Sequence, residues 1–293
     1  MESQSKNTVL LTGASGLVGK AMTPLLNQPW KALRHGEEGW DPENGICTPS
    51  HLEECSAVIH LAGEPIASKR WSESQKQKIY DSRVKGTRAL AEAMASMQTK
   101  PQTLICASAI GYYGDRGEEA LTETAAPGEG FLSEVVKAWE AAADPAREAG
   151  IRVVHLRLGI VLSPKGGALA KMLLPFKCGL GGKIGNGRNW MSWIHLQDAA
   201  RAFVYCLENS QTEGVFNLTA PHPVRNSEFT RTLASELRRP ARIPVPAPLL
   251  KLALGEMAEA LLLSSTRATP LALEASGFQF EYPHLENGLK SFF

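Results

Sequence analysis

The residues with the clearest chemical meaning stand close to the start of the chain. Thr12-Gly13-Ala14-Ser15-Gly16-Leu17-Val18-Gly19 places three glycines at G-x-x-G-x-x-G spacing. A short apolar strand (8–11) precedes them, and residues 17–26, whose apolar spacing suits a helix, follow. The first glycine permits a tight turn, the second lets backbone N–H groups approach a pyrophosphate, and the third lets helix and strand pack closely. The anion would then rest on the helix N-terminus, where free amides and the helix dipole favour negative charge. At the end of the second strand, roughly 20 residues past the first glycine, an acid would bind a ribose 2′-hydroxyl. This chain has Arg34 there, followed by His35, with no acid before Glu37. A guanidinium can grip a 2′-phosphate with two hydrogen bonds, so the pattern points to NADP(H) rather than NAD(H). The alternative for Arg34 is a solvated cation at a strand end.

Other groups capable of chemistry are scattered. Ser108, Tyr112 and Tyr113 occupy a glycine-containing loop after the apolar run 103–107 and offer hydroxyls for proton exchange. Arg188, Asn189 and Trp190 end a glycine-rich segment, 181–188, and combine polar and stacking groups suited to a sugar or nucleotide, whereas Trp193 reads as a core anchor. His195 and Asp198 stand three apart, but no cysteine or second histidine lies at ligand spacing, so no metal site is expected. Asp198 is expected to cap the N-terminus of the helix that runs to Leu207. The five cysteines form no Cys-x-x-Cys pair and are expected to be reduced thiols, Cys106 serving as core filler.

The elements that must hold these groups alternate. Strands are expected at 8–11, 30–33, 57–61, 103–107 and 152–156, with helices at 17–26, 75–97 and 131–150. The continuous apolar strand runs are of the kind buried on both faces of a parallel sheet. Strand–helix alternation with right-handed crossovers gives a doubly wound α/β Rossmann sheet. From Arg238 onward prolines at 240, 244, 246 and 248 fix an extended connector, and residues 249–263 read as an amphipathic helix packed on the body. The expected division is 1–237 for the dinucleotide-binding domain with its substrate-side loops, and 238–293 for a C-terminal helical appendage.

Composition sets the outer bounds. Of 293 residues, 43% are hydrophobic and 21% charged, enough for a sizeable core. The 31 Lys and Arg nearly balance 30 Asp and Glu, which leaves no long-range field to attract nucleic acid or an anionic membrane surface. The polar start, without a basic region or cleavage site, implies a cytoplasmic address. Segment 249–263 is charged and shorter than the ~20 apolar residues of a membrane helix.

A wider set of segments resembles a known group. The glycine turn, His60-Leu61-Ala62-Gly63-Glu64-Pro65-Ile66, Asp81-Ser82-Arg83-Val84-Lys85-Gly86-Thr87, Ser108-Ala109-Ile110-Gly111-Tyr112-Tyr113-Gly114-Asp115 and Met191-Ser192-Trp193-Ile194-His195-Leu196 are similar to an atypical, epimerase-family branch of the extended short-chain dehydrogenases/reductases. Leu252-Ala253-Leu254-Gly255-Glu256-Met257 resembles that branch's C-terminal domain. The resemblance implies an NADP-binding Rossmann fold and carries over Gly13, Ser15, Gly16, Leu17, Val18 and Arg34 as cofactor contacts. It adds Leu61, Ala62 and Gly63 as the turn beneath the adenine-side ribose. Arg83 takes the place of an asparagine near the cofactor, from which a cation could reach its phosphates; a surface salt bridge is the competing reading.

One departure from the superfamily stands out. Ordinary members use Tyr-x-x-x-Lys on the helix after the fourth strand, the lysine lowering the tyrosine pKa for proton exchange. With Trp139-Glu140 as register, those places fall on Leu132 and Val136, which transfer no protons. Lys137 is one residue, about 100° of helix rotation, out of place. Ser133 and Lys137, four apart, form a substitute pair. Ser108 and Tyr113 are the expected catalytic groups, although alignment on Tyr113-Gly114 puts Ala109 in the usual serine's place. Two functions compete: an NADP(H)-dependent oxidoreductase or epimerase acting on a small carbonyl or sugar-nucleotide substrate, and a non-catalytic NADP(H)-binding sensor. Assembly as a homodimer is left open.

Overall fold

A computed structural model describes residues 7–293. Six strands form one parallel sheet: β1 (Thr8–Thr12), β2 (Trp30–Leu33), β5 (Cys55–His60), β6 (Thr103–Ala109), β8 (Arg152–Leu158) and β12 (Gly214–Leu218), in the order β12-β8-β6-β5-β1-β2. The short strands β3 (Trp40–Asp41) and β4 (Ile46–Cys47) make a hairpin between β2 and β5. The chain moves from β1 outward to β2 and then returns to lay β5 on the other side of β1. The strand order therefore reverses between β1 and β5, where doubly wound sheets open a ligand crevice at their C-terminal edge.

Strand alternation explains the two cores. Val9 and Leu11 of β1, Ile59 of β5 and Val154 and Leu156 of β8 face one way, onto α1 (Leu17–Met22) and later α6 (Leu196–Glu208). Leu10, Val58, Leu104 and Val153 face the other way, onto α2 (Glu73–Ser96) and α4 (Asp144–Glu148). Burial on both faces is why these strands read as continuous apolar runs.

Prolines and a glycine shorten three expected helices. The helix after β1 gives way after Met22 to a 3₁₀ turn, Thr23–Leu25, at Pro24. The expected helix 131–150 is two helices, α3 (Phe131–Ala141) and α4, because Pro145 cannot donate to, and clashes with, the carbonyl of Ala141. Segment 249–263 divides into α8 (Ala247–Leu254), α9 (Glu256–Ala258) and a π-helical turn, Glu259–Leu263, broken at Gly255 with φ +62°. Contrary to the packed helix expected, α8 has no buried residue. Only Met257 and Ala258, beyond the break, are buried.

Smaller pairings build the region beyond the sheet's C-terminal edge. β9 (Ile160–Leu162) pairs with β11 (Trp193–His195), β10 (Trp190–Met191) with β13 (Val224–Arg225), and β7 (Ala120–Leu121) with β14 (Arg267–Ala268). α5 (Gly167–Lys177), α7 (Asn226–Glu236), α10 (Leu271–Ala275) and α11 (Leu285–Lys290) surround them. Among the described residues no helix is long and apolar enough to cross a membrane.

The C-terminal segment is tied into the body by Asp198, which corrects its expected role. His195, not Asp198, caps α6, its Nδ1 accepting from Gln197 N at 3.1 Å. The Asp198 carboxylate is fully buried and accepts from the backbone N–H of Glu281 (2.9 Å) and Tyr282 (2.8 Å) and from Arg201 (2.8 Å). His195 lies between the rings of Tyr282 and Phe292, at 3.9 and 4.6 Å between centroids. Removing the fully buried carboxylate leaves two part-buried amides and Arg201 without their acceptor, so Asp198→Ala is expected to cost about 2–4 kcal/mol in denaturant unfolding. A loss under about 0.5 kcal/mol would show that the tail is held by apolar packing alone.

Candidate functional site

The glycine turn sits where the sheet order reverses, and the backbone there tolerates no side chain at two of its three glycines. Gly13 has φ +72°, and an added Cβ would lie 2.7 Å from the carbonyl carbon of Leu61 and 2.8 Å from the amide of Ala62. Gly19 is equally confined, its Cβ falling 2.5 Å from the Gly13 oxygen. Gly16 differs. Its φ of −71° suits any residue, and an added Cβ would meet only the Gly13 oxygen, at 3.2 Å. Gly16 is the N-cap of α1, with no side chain capping the free amides of the first turn, which include those of Leu17 and Val18. Ser15 and Gly16 are exposed.

The loop after β5 forms the other wall and is pinned from beneath. Leu61 N donates to Thr12 O (3.1 Å), and Ala62 N donates to Thr12 Oγ1 (3.3 Å). The same hydroxyl is hydrogen-bonded to His60 Nδ1, 2.6 Å away. His60 is fully buried, and burial, with the Arg83 charge assisting, holds its pKa down to about 4. Helix α2 fixes the remainder of the loop: Ser82 Oγ accepts from Glu64 N, Gln75 donates to the Glu64 carboxylate, and Arg83 Nη1 donates to Glu64 O at 2.9 Å. The Arg83 guanidinium lies against Gly63 and 5.1 Å from the Trp139 ring. Burial lowers its pKa to about 10, so it stays charged at neutral pH. The surface salt bridge considered for Arg83 does not form.

Arg34 follows the last residue of β2, beside β1. Its backbone N–H donates to Glu37 Oε1 (3.0 Å), which turns the chain away, and its exposed guanidinium has no hydrogen-bond or ion-pair partner among the described residues.

The two residues expected to be catalytic lie inside the protein. Ser108 is 1% exposed and donates to Glu140 Oε1 at 2.6 Å. Tyr113 is fully buried; its hydroxyl contacts Asn217 Oδ1 (2.7 Å) and the Thr122 carbonyl (3.0 Å), and Arg157 Nη1 donates to it at 3.0 Å. Burial raises the Tyr113 pKa against the pull of Arg157. Arg157 also donates to both Glu140 oxygens, from Nε at 2.8 Å and Nη2 at 2.7 Å, and its guanidinium lies 3.5 Å from the Tyr112 ring centroid. Burial alone would raise the Glu140 pKa, but the hydrogen bonds and charge of Arg157, with Ser108, hold it below the usual carboxylate range. Strand alternation accounts for the position of Ser108: its side chain and that of Ala109 leave β6 on opposite faces.

Helix α3 supplies no replacement. Val136 is buried, Lys137 is exposed, and Ser133 is 1% exposed with its hydroxyl contacting the Tyr112 and Gly128 carbonyls. The substitute pair Ser133–Lys137 is therefore not brought together. Leu132, Val136 and Glu140 are spaced four apart on one helical face, so the carboxylate stands one turn beyond the place of the usual lysine.

Glu140 and Arg157 were absent from the sequence candidates, yet Arg157 interrupts the apolar strand Val153-Val154-His155-Leu156-Arg157-Leu158. A charge inside a strand buried on both faces is a signal for a buried partner. His155 breaks the same run; both its ring nitrogens are buried without partners among the described residues.

On the substrate-side region, the guanidiniums of Arg225 (4.2 Å) and Arg267 (4.5 Å) pack on the Trp190 ring, and its Nε1 donates to Glu118 at 3.0 Å. Asn189 donates to Leu262 O (3.2 Å), Arg188 is exposed, and Trp193 is a fully buried core anchor. Among the described residues no three His, Cys, Asp or Glu are grouped to hold a metal.

Known proteins are similar to this chain in sequence and in fold. Residues 9–219 match the NAD dependent epimerase/dehydratase family, and 245–292 match a domain of unknown function. An epimerase family protein of Mycobacterium bovis is 41% identical over 283 residues, spanning 94% of this chain and 93% of that one. The crystal structure of the human epimerase family protein SDR39U1 with NADPH superposes with a TM-score of 0.87 at 32% identity, over 97% of this chain and 98% of that one. A nucleoside-diphosphate sugar epimerase from Corynebacterium glutamicum gives 0.80 at 34% identity, over 98% of this chain and 58% of that longer one.

The orphaned imidazole makes a pH prediction. Burial holds His155 at about 4 against its ordinary 6.5, so the unfolded chain binds a proton that the folded chain refuses. The resulting stability is complete above pH 6.5 and is lost as pH falls towards 4. His155→Leu should remove one proton of uptake, flattening the loss by up to about 1.4 kcal/mol per pH unit between pH 6.5 and 5. That window lies above the titration of Glu140. Identical stability–pH profiles for both proteins would contradict it.

Proposed function

This chain belongs to the NAD dependent epimerase/dehydratase family, and from that premise we propose that it binds NADP(H) at the glycine turn. The observation that carries this reading is the cradle at the strand reversal: Gly13 and Gly19 are confined by backbone, while Gly16 is open and caps α1 with nothing above it. Gly13, Ser15, Gly16, Leu17 and Val18 would hold the pyrophosphate, with Leu17 and Val18 offering the uncapped amides of the first turn of α1. Leu61, Ala62 and Gly63 form the facing wall, and Arg34 reads the 2′-phosphate. Arg83, a buried cation against Gly63, adds positive charge towards the phosphates. The human relative's structure with NADPH supports the cofactor's identity.

A nicotinamide cofactor exchanges a hydride with its substrate. The family and the Corynebacterium glutamicum relative support a small carbonyl or sugar-nucleotide substrate. Hydride exchange with a carbonyl also requires a proton, and the residues beside the crevice supply none by the usual route. Ala109, Leu132 and Val136 replace serine, tyrosine and lysine, while Ser108 and Tyr113 are committed to the Glu140–Arg157 network. We therefore assign Ser108 and Tyr113 to positioning the loop after β6, and the proton to the substrate's own groups or water. The same observation favours a second reading, a non-catalytic NADP(H) sensor.

Arg34→Ala should weaken NADPH binding by about 1.5–3 kcal/mol and leave NADH nearly unchanged, as read by fluorescence titration. Gly16→Val should abolish binding of both with its circular dichroism and melting temperature retained, since its backbone admits a side chain. Equal affinity of the parent for the two cofactors, or retained binding in Gly16→Val, would rule out the assigned site.

Single-turnover oxidation of bound NADPH by a panel of carbonyl compounds tests the proton assignment. Ser108→Ala and Tyr113→Phe should lower the melting temperature while reacting within about threefold of the parent, whereas loss of a true acid would slow the step ~100-fold. A hundredfold loss with stability retained would return these hydroxyls to catalysis. A panel that never exceeds the protein-free rate favours the sensor.

A further inference from the structure

A groove of about 340 Å³ that shares no residue with the glycine turn is lined by Lys183, Ser227, Thr230, Arg231, Ala234, Ala241, Arg242 and Pro244. Three separate segments build it. Loop 181–188, the glycine-rich segment to which the cofactor reading gives no role, contributes Lys183. Ser227, Thr230, Arg231 and Ala234 are spaced i, i+3, i+4 and i+7 along α7, which makes them one helical face. Ala241, Arg242 and Pro244 come from the proline-rich connector.

These walls are fixed to one another. Ile243 N donates to Gly181 O, Val245 N to Lys183 O (2.9 Å), and Gly185 N to Val245 O (2.9 Å). A Cβ on Gly182 would fall 1.8 Å from the Ile243 oxygen, so glycine is required where connector and loop touch. Asn226 at the start of α7 accepts from Ile184 N at 2.7 Å, and Ser227 N donates to Gly187 O at 2.9 Å.

Into this rigid groove the fold gathers three cations and no carboxylate. Lys183, Arg231 and Arg242 are exposed, and none makes a side-chain hydrogen bond or ion pair among the described residues. Thr230, 5% exposed, forms part of the wall, and its buried Oγ1 has no hydrogen-bond partner. Like charges converging on one concavity raise the local potential for an anion. Two planar guanidiniums suit phosphate oxygens, and an ammonium and a hydroxyl complete a donor set with no acceptor charge opposing it. The alanines and Pro244 offer an apolar wall beside the cations.

We propose that this groove is a second anion site, built for a small organic ligand carrying a phosphate group, with Lys183, Arg231, Arg242 and Ser227 holding the phosphate. It shares no residue with the glycine turn and stands apart from the cofactor reading.

Isothermal titration of orthophosphate and of ribose 5-phosphate, at constant ionic strength in chloride, tests it on the full chain. Ribose 5-phosphate should bind saturably and more tightly than orthophosphate. Arg231→Ser and Arg242→Ser should each weaken it about tenfold with the melting temperature unchanged, because both side chains are exposed. Gly16→Val should bind both probes like the parent. Binding that is lost in Gly16→Val but kept in the arginine variants would place the anion on the glycine turn and overturn the proposal. So would the absence of saturable binding below about 10 mM. Equal affinity for the two probes would overturn the organic-ligand reading.

Discussion

The close approach of two backbones at the strand reversal governs the rest of the site. Gly13 lies so near the Leu61–Ala62 peptide that no Cβ fits between them. That contact sets the path of the turn, the start of α1 and the height of the facing loop together. Thr12 joins the two sides, its hydroxyl accepting from Ala62 N and hydrogen-bonded to His60 Nδ1. Burial keeps the imidazole neutral. The crevice is thus preorganised by groups that never face it, and the open side is left to Gly16 and the uncapped amides of the first turn of α1.

A second constraint acts at the opposite side of the crevice. Arg157 and Glu140 are a buried ion pair whose remaining hydrogen-bonding capacity is used by Ser108 and Tyr113, with Asn217 and the Thr122 carbonyl closing the network. Burying two charges is tolerable only when geometry and hydrogen bonding are as complete as this. The Ser108 and Tyr113 hydroxyls are hydrogen-bonded within the network of that ion pair. In this member of the family the loop after β6 is held by electrostatics, and the face that ordinarily carries the proton relay is apolar.

The fold was legible in the sequence because its signals are local. Apolar strand runs, the glycine spacing and the alternation of elements each depend on neighbours in the chain. Helix ends were less legible: Pro145 and Gly255 were visible in the sequence, but whether a helix breaks or bends there depends on packing. The shape of the glycine turn was readable for the same local reason, since three glycines between strand and helix have a geometric meaning. The burial of Ser108 and Tyr113 was not legible, because a residue type in a loop does not reveal which way it points, and successive residues along β6 face opposite sides of the sheet. Asp198 misled: its partners, the amides of Glu281 and Tyr282, are more than eighty residues away. Only Arg157, a charge inside an apolar strand, announced that a buried partner existed.

Two features are most directly at stake: that this protein holds NADPH by the glycine turn and Arg34, and that the Ser108 and Tyr113 hydroxyls stay within the Glu140–Arg157 network when it does. A crystal structure of the chain with NADPH tests both most directly. The 2′-phosphate should lie within hydrogen-bond distance of the Arg34 guanidinium, the pyrophosphate on the amides around Gly16, and the Ser108–Glu140 and Tyr113–Asn217 contacts should persist. A 2′-phosphate away from Arg34, or a Tyr113 hydroxyl turned out to the nicotinamide, would contradict them.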